Sequence, residues 1–429
     1  MGGLAPGRKC RDMVRRITPQ EQFTIAHPGE TQKPGETQKP GETQRPGETH
    51  RIALLVGRFI PSLGGLESWT HDLAVELVAR GHQVRVLTTE TAVHPAGVRI
   101  DLVPASDRTM PQARNFATAA ARFADHIVHD TGVGLGADVL QPQMGCRALN
   151  IARDTAQLPP WRRLRLAASP RHQRYRRAIA RLERSQLATA RCVIAVSRET
   201  AAVFRDRYGL PEDRIRIIPN GIDTQRFHPA RTARTRGATR DALGLTPETL
   251  VLLAAASNFR LKGVHHTIAA LAKILPHCPN ACLLVAGEGP VDEFAALARE
   301  AGVGDRVRFL GRVTDMPALF GATEIFVHPT AHDACSLATL EAMASGLPVI
   351  TTRRNGAADG MTQGREGFVL AAPDVAALAD KLLALRDPAR RTAMGAAARL
   401  LAEQHDFAAT VDQLLMVYAD LPRRPGNPA

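Results

Sequence analysis

The sequence predicts an α/β protein built from two Rossmann-like domains, each a parallel sheet covered by helices, and three observations carry that prediction. Short aliphatic runs alternate with helical stretches along most of the chain, the pattern that builds parallel sheets through βαβ crossovers. The alternation comes in two series with a polar stretch between them. At 429 residues the chain exceeds what one core ordinarily holds, and two Rossmann-sized units fit it.

Taken in order, residues 28–49 read PGETQKPGETQKPGETQRPGET, a six-residue repeat with no apolar position, so residues 1–49 are expected to be a disordered tail dispensable for catalysis. The first domain, 50–222, opens on RIALLVG, a short aliphatic strand. A GG loop, the helical ESWTHDLAVELVARG and the strand HQVRVLTT complete a βαβ unit. DVLQPQM, CVIAVS and RIRIIPNGID read as further strands, with basic helices between 159 and 190 and at 198–208. The break falls between 221 and 248, a polar run with Pro and Gly. The second domain, 223–401, repeats the alternation from TLVLLAAAS through VHHTIAALAKILP, ACLLVAGEG, RVRFLGRV, IFVHPT, SLATLEAMASG and LPVITT to EGFVL, and a helix over 402–420 is expected to return to the first domain.

Composition narrows the function. No run approaches the roughly 18 apolar residues that span a bilayer, and the basic N-terminus lacks the apolar core of an export signal, so a cytoplasmic protein is expected. Cys278 and Cys282 lack a second Cys or His pair, which argues against a zinc site. The formal charge of +13 favours anionic partners. Much of it sits in 159–186, which is either a solvated helical face or a peripheral surface that approaches anionic lipid. Nucleic acid is not expected, because only 4% of the residues are aromatic and no base-stacking strand motif appears.

Ligands of open α/β sheets bind beyond the carboxyl ends of the strands, so the loops there are the places to look. In SNFRLKGV, Arg260 and Lys262 stand two apart in a loop, able to turn towards one anion ahead of a helix N-terminus. In HPTAHDACSLATLEAMASGLPVI, Ser336 is a plausible N-cap for a helix from Leu337 to Ser345 closed by Gly346. Asp333 then precedes the helix and Glu341 lies just over one turn inside it. An anion can rest on the N–H groups of Leu337 and Ala338 while the carboxylates accept from hydroxyls on either side, which describes a nucleotide-sugar. Gly64 and Gly65 follow the first strand and allow close backbone approach to a phosphate or sugar. GVGLGADVL has a G-x-G-x-x-A spacing but precedes a strand, so a dinucleotide site is set aside. His71 and His328 are read as structural.

Residues 51–420 resemble the GT-B glycosyltransferases of family 4, on GGLESWTHDLAVELVARGHQVRV, SNFRLKGVHHTIAALA and the Glu-x7-Glu-like DACSLATLE, with a particular likeness to the group that adds glucose to heptose in the lipopolysaccharide core. The resemblance implies two domains facing a central cleft and a retaining, metal-independent transfer. The donor is expected to be a nucleoside-diphosphate sugar, UDP-linked by preference, and the acceptor a glycan or glycolipid; no cofactor is expected. It maps diphosphate neutralisation to Arg260 and Lys262, the ribose to Glu341 and the sugar to Asp333, where Asp replaces the family's usual Glu. The family's N-terminal-domain His has no counterpart in DVLQPQMG, and Asp138 stands as the candidate there for acceptor positioning or proton removal. A UDP-sugar 2-epimerase of similar architecture and a non-catalytic anion- or RNA-binding protein are the alternatives.

Overall fold

The structure, a computed structural model, describes residues 49–421. The expected tail falls, but for its last residue, outside the described residues. The first sheet contains β1 (Arg51–Leu55), β3 (Gln83–Thr88), β5 (Val98–Leu102), β6 (Ile127–Asp130), β7 (Val139–Leu140), β8 (Cys192–Ala195) and β9 (Ile215–Ile217), while β2 (Arg58–Phe59) and β4 (Glu90–Thr91) form a small pair beside it. Its order is β5-β3-β1-β6-β7-β8-β9, parallel at every pairing. Central β1 is apolar at successive positions because both faces are covered, and Ile52, Ala53, Leu54 and Leu55 are all buried.

Before the second domain this half carries the helices α1 (Gly65–Ala79), α2 (Thr109–Ala120), α3 (Arg147–Ala156), α4 (Pro160–Ala168), α5 (Pro170–Thr189) and α6 (Arg198–Tyr208), of which α4 buries no side chain. β5, α2 and β6 were not anticipated from the sequence. VRIDL and IVHD carry charged or polar residues at alternate or terminal positions, which hides a strand signal read from aliphatic runs.

The second sheet has the order β12-β11-β10-β13-β14-β15, again parallel, from β10 (Leu250–Ala255), β11 (Ala281–Ala286), β12 (Val307–Gly311), β13 (Ile325–His328), β14 (Val349–Thr352) and β15 (Gly367–Leu370). Cys278 and Cys282 belong to apolar clusters on opposite sides of this sheet. Covering it are α7 (Pro229–Ala242), α8 (Val264–Ile274), α9 (Val291–Glu300), α10 (Met316–Gly321), α11 (Leu337–Ala344), α12 (Val375–Ala384) and α13 (Pro388–Ala402). The polar break thus contains a helix. α7 is held by Arg240, whose buried guanidinium donates to Glu324 and to the carbonyls of Thr246, Thr249 and Ala322.

After α13 the chain returns to the first domain as α14 (Phe407–Asp420), whose Val411, Leu414, Val417 and Tyr418 join the cluster of Ile52, Leu54 and Trp69. Each fully buried side chain of this size contributes about 1.5–3 kcal/mol relative to exposure. The two crossings between domains run side by side. Ile222 N donates to His405 O at 2.9 Å and Phe407 N to Ile222 O at 2.9 Å. At this junction a Cβ on Gly221 would lie 2.8 Å from Phe407 Cα, so only glycine fits. The paired crossing brings the carboxyl ends of both sheets to a common cleft.

Candidate active site

Two helix N-termini meet across that cleft. α11 starts at Ser336, whose Oγ accepts from Thr339 N at 3.2 Å. Opposite it, α1 starts at Gly64 and Gly65, and a Cβ at Gly65 would stand 2.9 Å from Leu337 Cδ1. A side chain there would displace the end of Leu337. The N–H groups of Leu337 and Ala338 belong to the first turn and have no partner within α11, so they present positive dipole ends where the domains approach.

The α11 start is over-determined. Asn355 accepts from Ser336 N at 3.2 Å and Ala357 N at 3.1 Å, and donates to Thr339 Oγ1 at 3.0 Å and Thr351 Oγ1 at 3.1 Å, using its whole amide. Asn220, arriving from the first domain, donates to Cys335 O at 3.1 Å. Gly356 is required, because a Cβ would lie 1.8 Å from Ala334 O. Sequence reasoning missed Asn220 and Asn355. Each precedes a glycine, a spacing that reads only as a turn until the partner segment is placed.

Beyond β10 the chain turns through Arg260 and Lys262. Gly263 adopts φ +77°, and its Cβ would meet Pro329 O at 2.1 Å, which seats the turn directly on the strand end of β13. The two cations leave this turn towards different carboxylates. Arg260 pairs with Glu293 and stands 5.7 Å from the Phe294 ring centroid, whereas Lys262 Nζ lies 2.5 Å from Asp333 Oδ2. The expectation of both turning to one anion is therefore corrected: each is held by a neighbouring carboxylate on its own side of the turn.

Asp333 Oδ2 also meets His328 Nε2 at 3.0 Å, so His328, read from sequence as structural, belongs to the site. Burial works against the Asp333 charge, but Lys262 and then His328 outweigh it and hold the carboxyl well below the usual range. Glu341 is half-buried on α11. Burial pushes its carboxyl up to about 7, with Arg226 opposing the shift and Asp72 adding to it.

Asp138 does not join these residues. It precedes β7, at the amino end of the sheet, where its carboxylate accepts from Val128 N at 2.9 Å and Arg191 Nη1 at 3.0 Å. A residue there braces the sheet far from the cleft, so its candidacy as an acceptor-side base is withdrawn. At the carboxyl end of β6, Asp130 is buried and accepts from Gly132 N, Val133 N and Gly134 N at 2.9, 2.7 and 2.9 Å. The glycine-rich loop that resembled a phosphate cradle thus wraps the chain's own carboxylate.

Other cross-cleft contacts keep the halves together. Arg153 Nη1 lies 2.5 Å from His332 Nδ1, and Arg198 N donates to Asp359 Oδ2 at 2.6 Å. Among the described residues, no three His, Cys, Asp or Glu side chains converge as a metal site, and no helix is long and apolar enough to cross a membrane.

Comparisons with known proteins agree with this geometry. Residues 63–226 match the family model described as Glycosyltransferase Family 4, and residues 248–387 match Glycosyl transferases group 1. The chain is 29% identical over 332 residues to the lipopolysaccharide glucosyltransferase WaaG of Escherichia coli, covering 75% of this chain and 85% of that protein. It is 27% identical over 380 residues to a GDP-mannose-dependent alpha-(1-6)-phosphatidylinositol monomannoside mannosyltransferase of Mycobacterium tuberculosis, covering 81% and 92%. The crystal structure of WaaG superposes with a TM-score of 0.72 at 27% identity, over 86% of this chain and all of that one. Two matched halves, the parallel sheets and the cleft between them agree: the chain is a glycosyltransferase enzyme and belongs to the GT-B glycosyltransferases of family 4.

Proposed function

We propose that the chain transfers a hexose from a nucleoside-diphosphate sugar to a glycan or glycolipid acceptor, with retention of anomeric configuration and without a metal ion. The observation that carries this is the apposition of the α11 N-terminus, with Lys262 and Asp333 beside it and Glu341 one turn inside, to the Gly64–Gly65 loop. Departure of the diphosphate builds negative charge on phosphate oxygens and positive charge on the sugar ring. Fixed N–H dipoles together with Lys262 stabilise the leaving group, the part that a divalent ion takes in other transferases. An ammonium has three donors, so Lys262 can keep Asp333 and still donate to phosphate. Glu341 accepts from the ribose hydroxyls. The acceptor approaches from the first domain, on the face the diphosphate leaves, which gives retention.

The related glucosyltransferase and the GDP-mannose-dependent relative support a hexose donor but differ in kind, so the base is assigned by experiment. A thermal-shift series with UDP, GDP, ADP and their sugars, with and without EDTA, should show stabilisation by one nucleotide class, unchanged by EDTA and lost in Glu341→Ala. A shift that EDTA abolishes would overturn metal independence, and nuclear magnetic resonance of the product's anomeric proton decides retention.

The acceptor side carries a second feature. α4 and the first half of α5 hold most of the arginines of 159–186 and expose Trp161 and Leu164, 60% and 74% accessible, while Ile179, Leu182 and Leu187 anchor the other half of α5 in the core. A basic surface with protruding apolar side chains suits peripheral binding to anionic lipid. Flotation with phosphatidylglycerol vesicles, but not phosphatidylcholine vesicles, is the expected result, lost in Trp161→Ser with Leu164→Ser.

A further inference from the structure

The residues that recognise the transferred sugar must be aimed as well as present, and Asp333 is one methylene shorter than glutamate. Its reach is therefore set by what holds its carboxylate. Two donors do so, and both meet the same oxygen: Lys262 Nζ at 2.5 Å and His328 Nε2 at 3.0 Å from Oδ2. His328 is itself immobilised. It ends β13, is 2% exposed, and stacks on Phe326 with centroids 6.0 Å apart and planes 15° from parallel. Its carbonyl accepts from Thr330 N and Thr351 Oγ1, both at 2.8 Å. Burial lowers the imidazole's proton affinity, so a neutral ring facing an ionised carboxylate carries its single hydrogen on Nε2.

We propose that His328 is a positioning residue for sugar recognition: by donating from Nε2 to Oδ2 of Asp333 it turns the carboxylate so that Oδ1 accepts from a hydroxyl of the donor hexose. The inference rests on the nucleotide-sugar reading above. Lys262 alone would not fix this orientation, because a flexible ammonium follows the phosphate it binds. A buried imidazole on a strand end does not move with the ligand, and it keeps the short Asp333 side chain in one rotamer.

The test compares affinities for UDP and UDP-glucose, and in parallel GDP and GDP-mannose, in the full-length chain. His328→Phe keeps the stack on Phe326 but removes the N–H, and His328→Gln restores a donor. The expected result is that His328→Phe reduces the preference for nucleotide-sugar over bare nucleotide about tenfold, the scale of one lost charge-assisted hydrogen bond. His328→Gln recovers most of it, and Asp333→Asn with His328→Phe is no worse than Asp333→Asn alone, since the two act as a unit. Nitrogen chemical shifts of His328 in the wild type should report the Nε2–H form. A preference unmoved by His328→Phe, equal losses for nucleotide and nucleotide-sugar, or an Nδ1–H ring would each overturn the inference while leaving the donor reading standing. A wild-type chain that binds neither pair overturns the donor reading and this inference with it.

Discussion

The two faces of the cleft are built differently. On the second-domain side, the loops after β10, β13 and β14 are cross-braced: Asn355 uses every amide atom, Gly263 and Gly356 are wedged against backbone carbonyls, and Lys262, Asp333 and His328 are mutually paired. On the first-domain side, the loop after β7 leaves Gln143 Nε2 buried without a hydrogen-bond partner and Met144 59% exposed. On the proposed function, the difference separates donor recognition on the second domain from acceptor recognition on the first. A diphosphate leaving group needs dipoles already in place before charge develops. An acceptor surface is completed by its ligand, which suits the unpaired Gln143, although the loop after β13 also buries His332 Nε2 without a partner and the loop after β6 is braced on Asp130.

The comparison can be broken most decisively at Lys262. Lys262→Ala should lower kcat/KM by roughly 100- to 1,000-fold with an unchanged circular dichroism spectrum, the range for losing one leaving-group stabiliser. Turnover near wild type would remove the second domain's claim to the chemistry. Next, Gly356→Ala should cost about 3 kcal/mol of stability in chemical denaturation, as an unrelieved backbone overlap does; a change near zero would mean the brace is soft.

The Glu341 titration sharpens the comparison further. With its carboxyl raised to about 7 in the folded chain, the native state holds a proton that the unfolded state has released, so stability falls as pH rises from the ordinary glutamate range through about 7. Ribose hydroxyls favour the ionised form. Nucleotide affinity should therefore rise about tenfold from pH 5.5 to pH 8, and Glu341→Gln should flatten both trends; a pH-independent affinity in the wild type would separate Glu341 from the ribose. The smallest effect is expected at Gln143. Gln143→Ala should raise KM for the acceptor severalfold and leave donor affinity alone, about the value of one neutral hydrogen bond.

The fold and half of the site were readable along the chain for a physical reason: both depend on short-range patterns. Aliphatic runs such as LVLLAA and ACLLVA declare strands covered on both faces, Ser336 declares a helix start, and Gly346 its end. Ser336, Leu337, Ala338 and Glu341 share one short helix, so their relation follows from helical geometry alone.

The rest was decided by contacts between segments far apart in sequence. Whether Arg260 and Lys262 face one anion or two carboxylates depends on α9 and the β13 loop arriving beside them. Asp138 looked like a strand-end acid until the sheet placed it at the amino end, bonded to Val128 and Arg191. Local propensity therefore determined most of the elements, their order and the helix α11 that carries Ser336 and Glu341. Only tertiary packing decided which carboxylate each cation meets, that His328 meets Asp333, and that Gly65 lies against Leu337 of the other domain. Backbone patterns repeat within a few residues, whereas the partner of a charged side chain is set by whichever distant strand end the sheet order brings within a few ångströms.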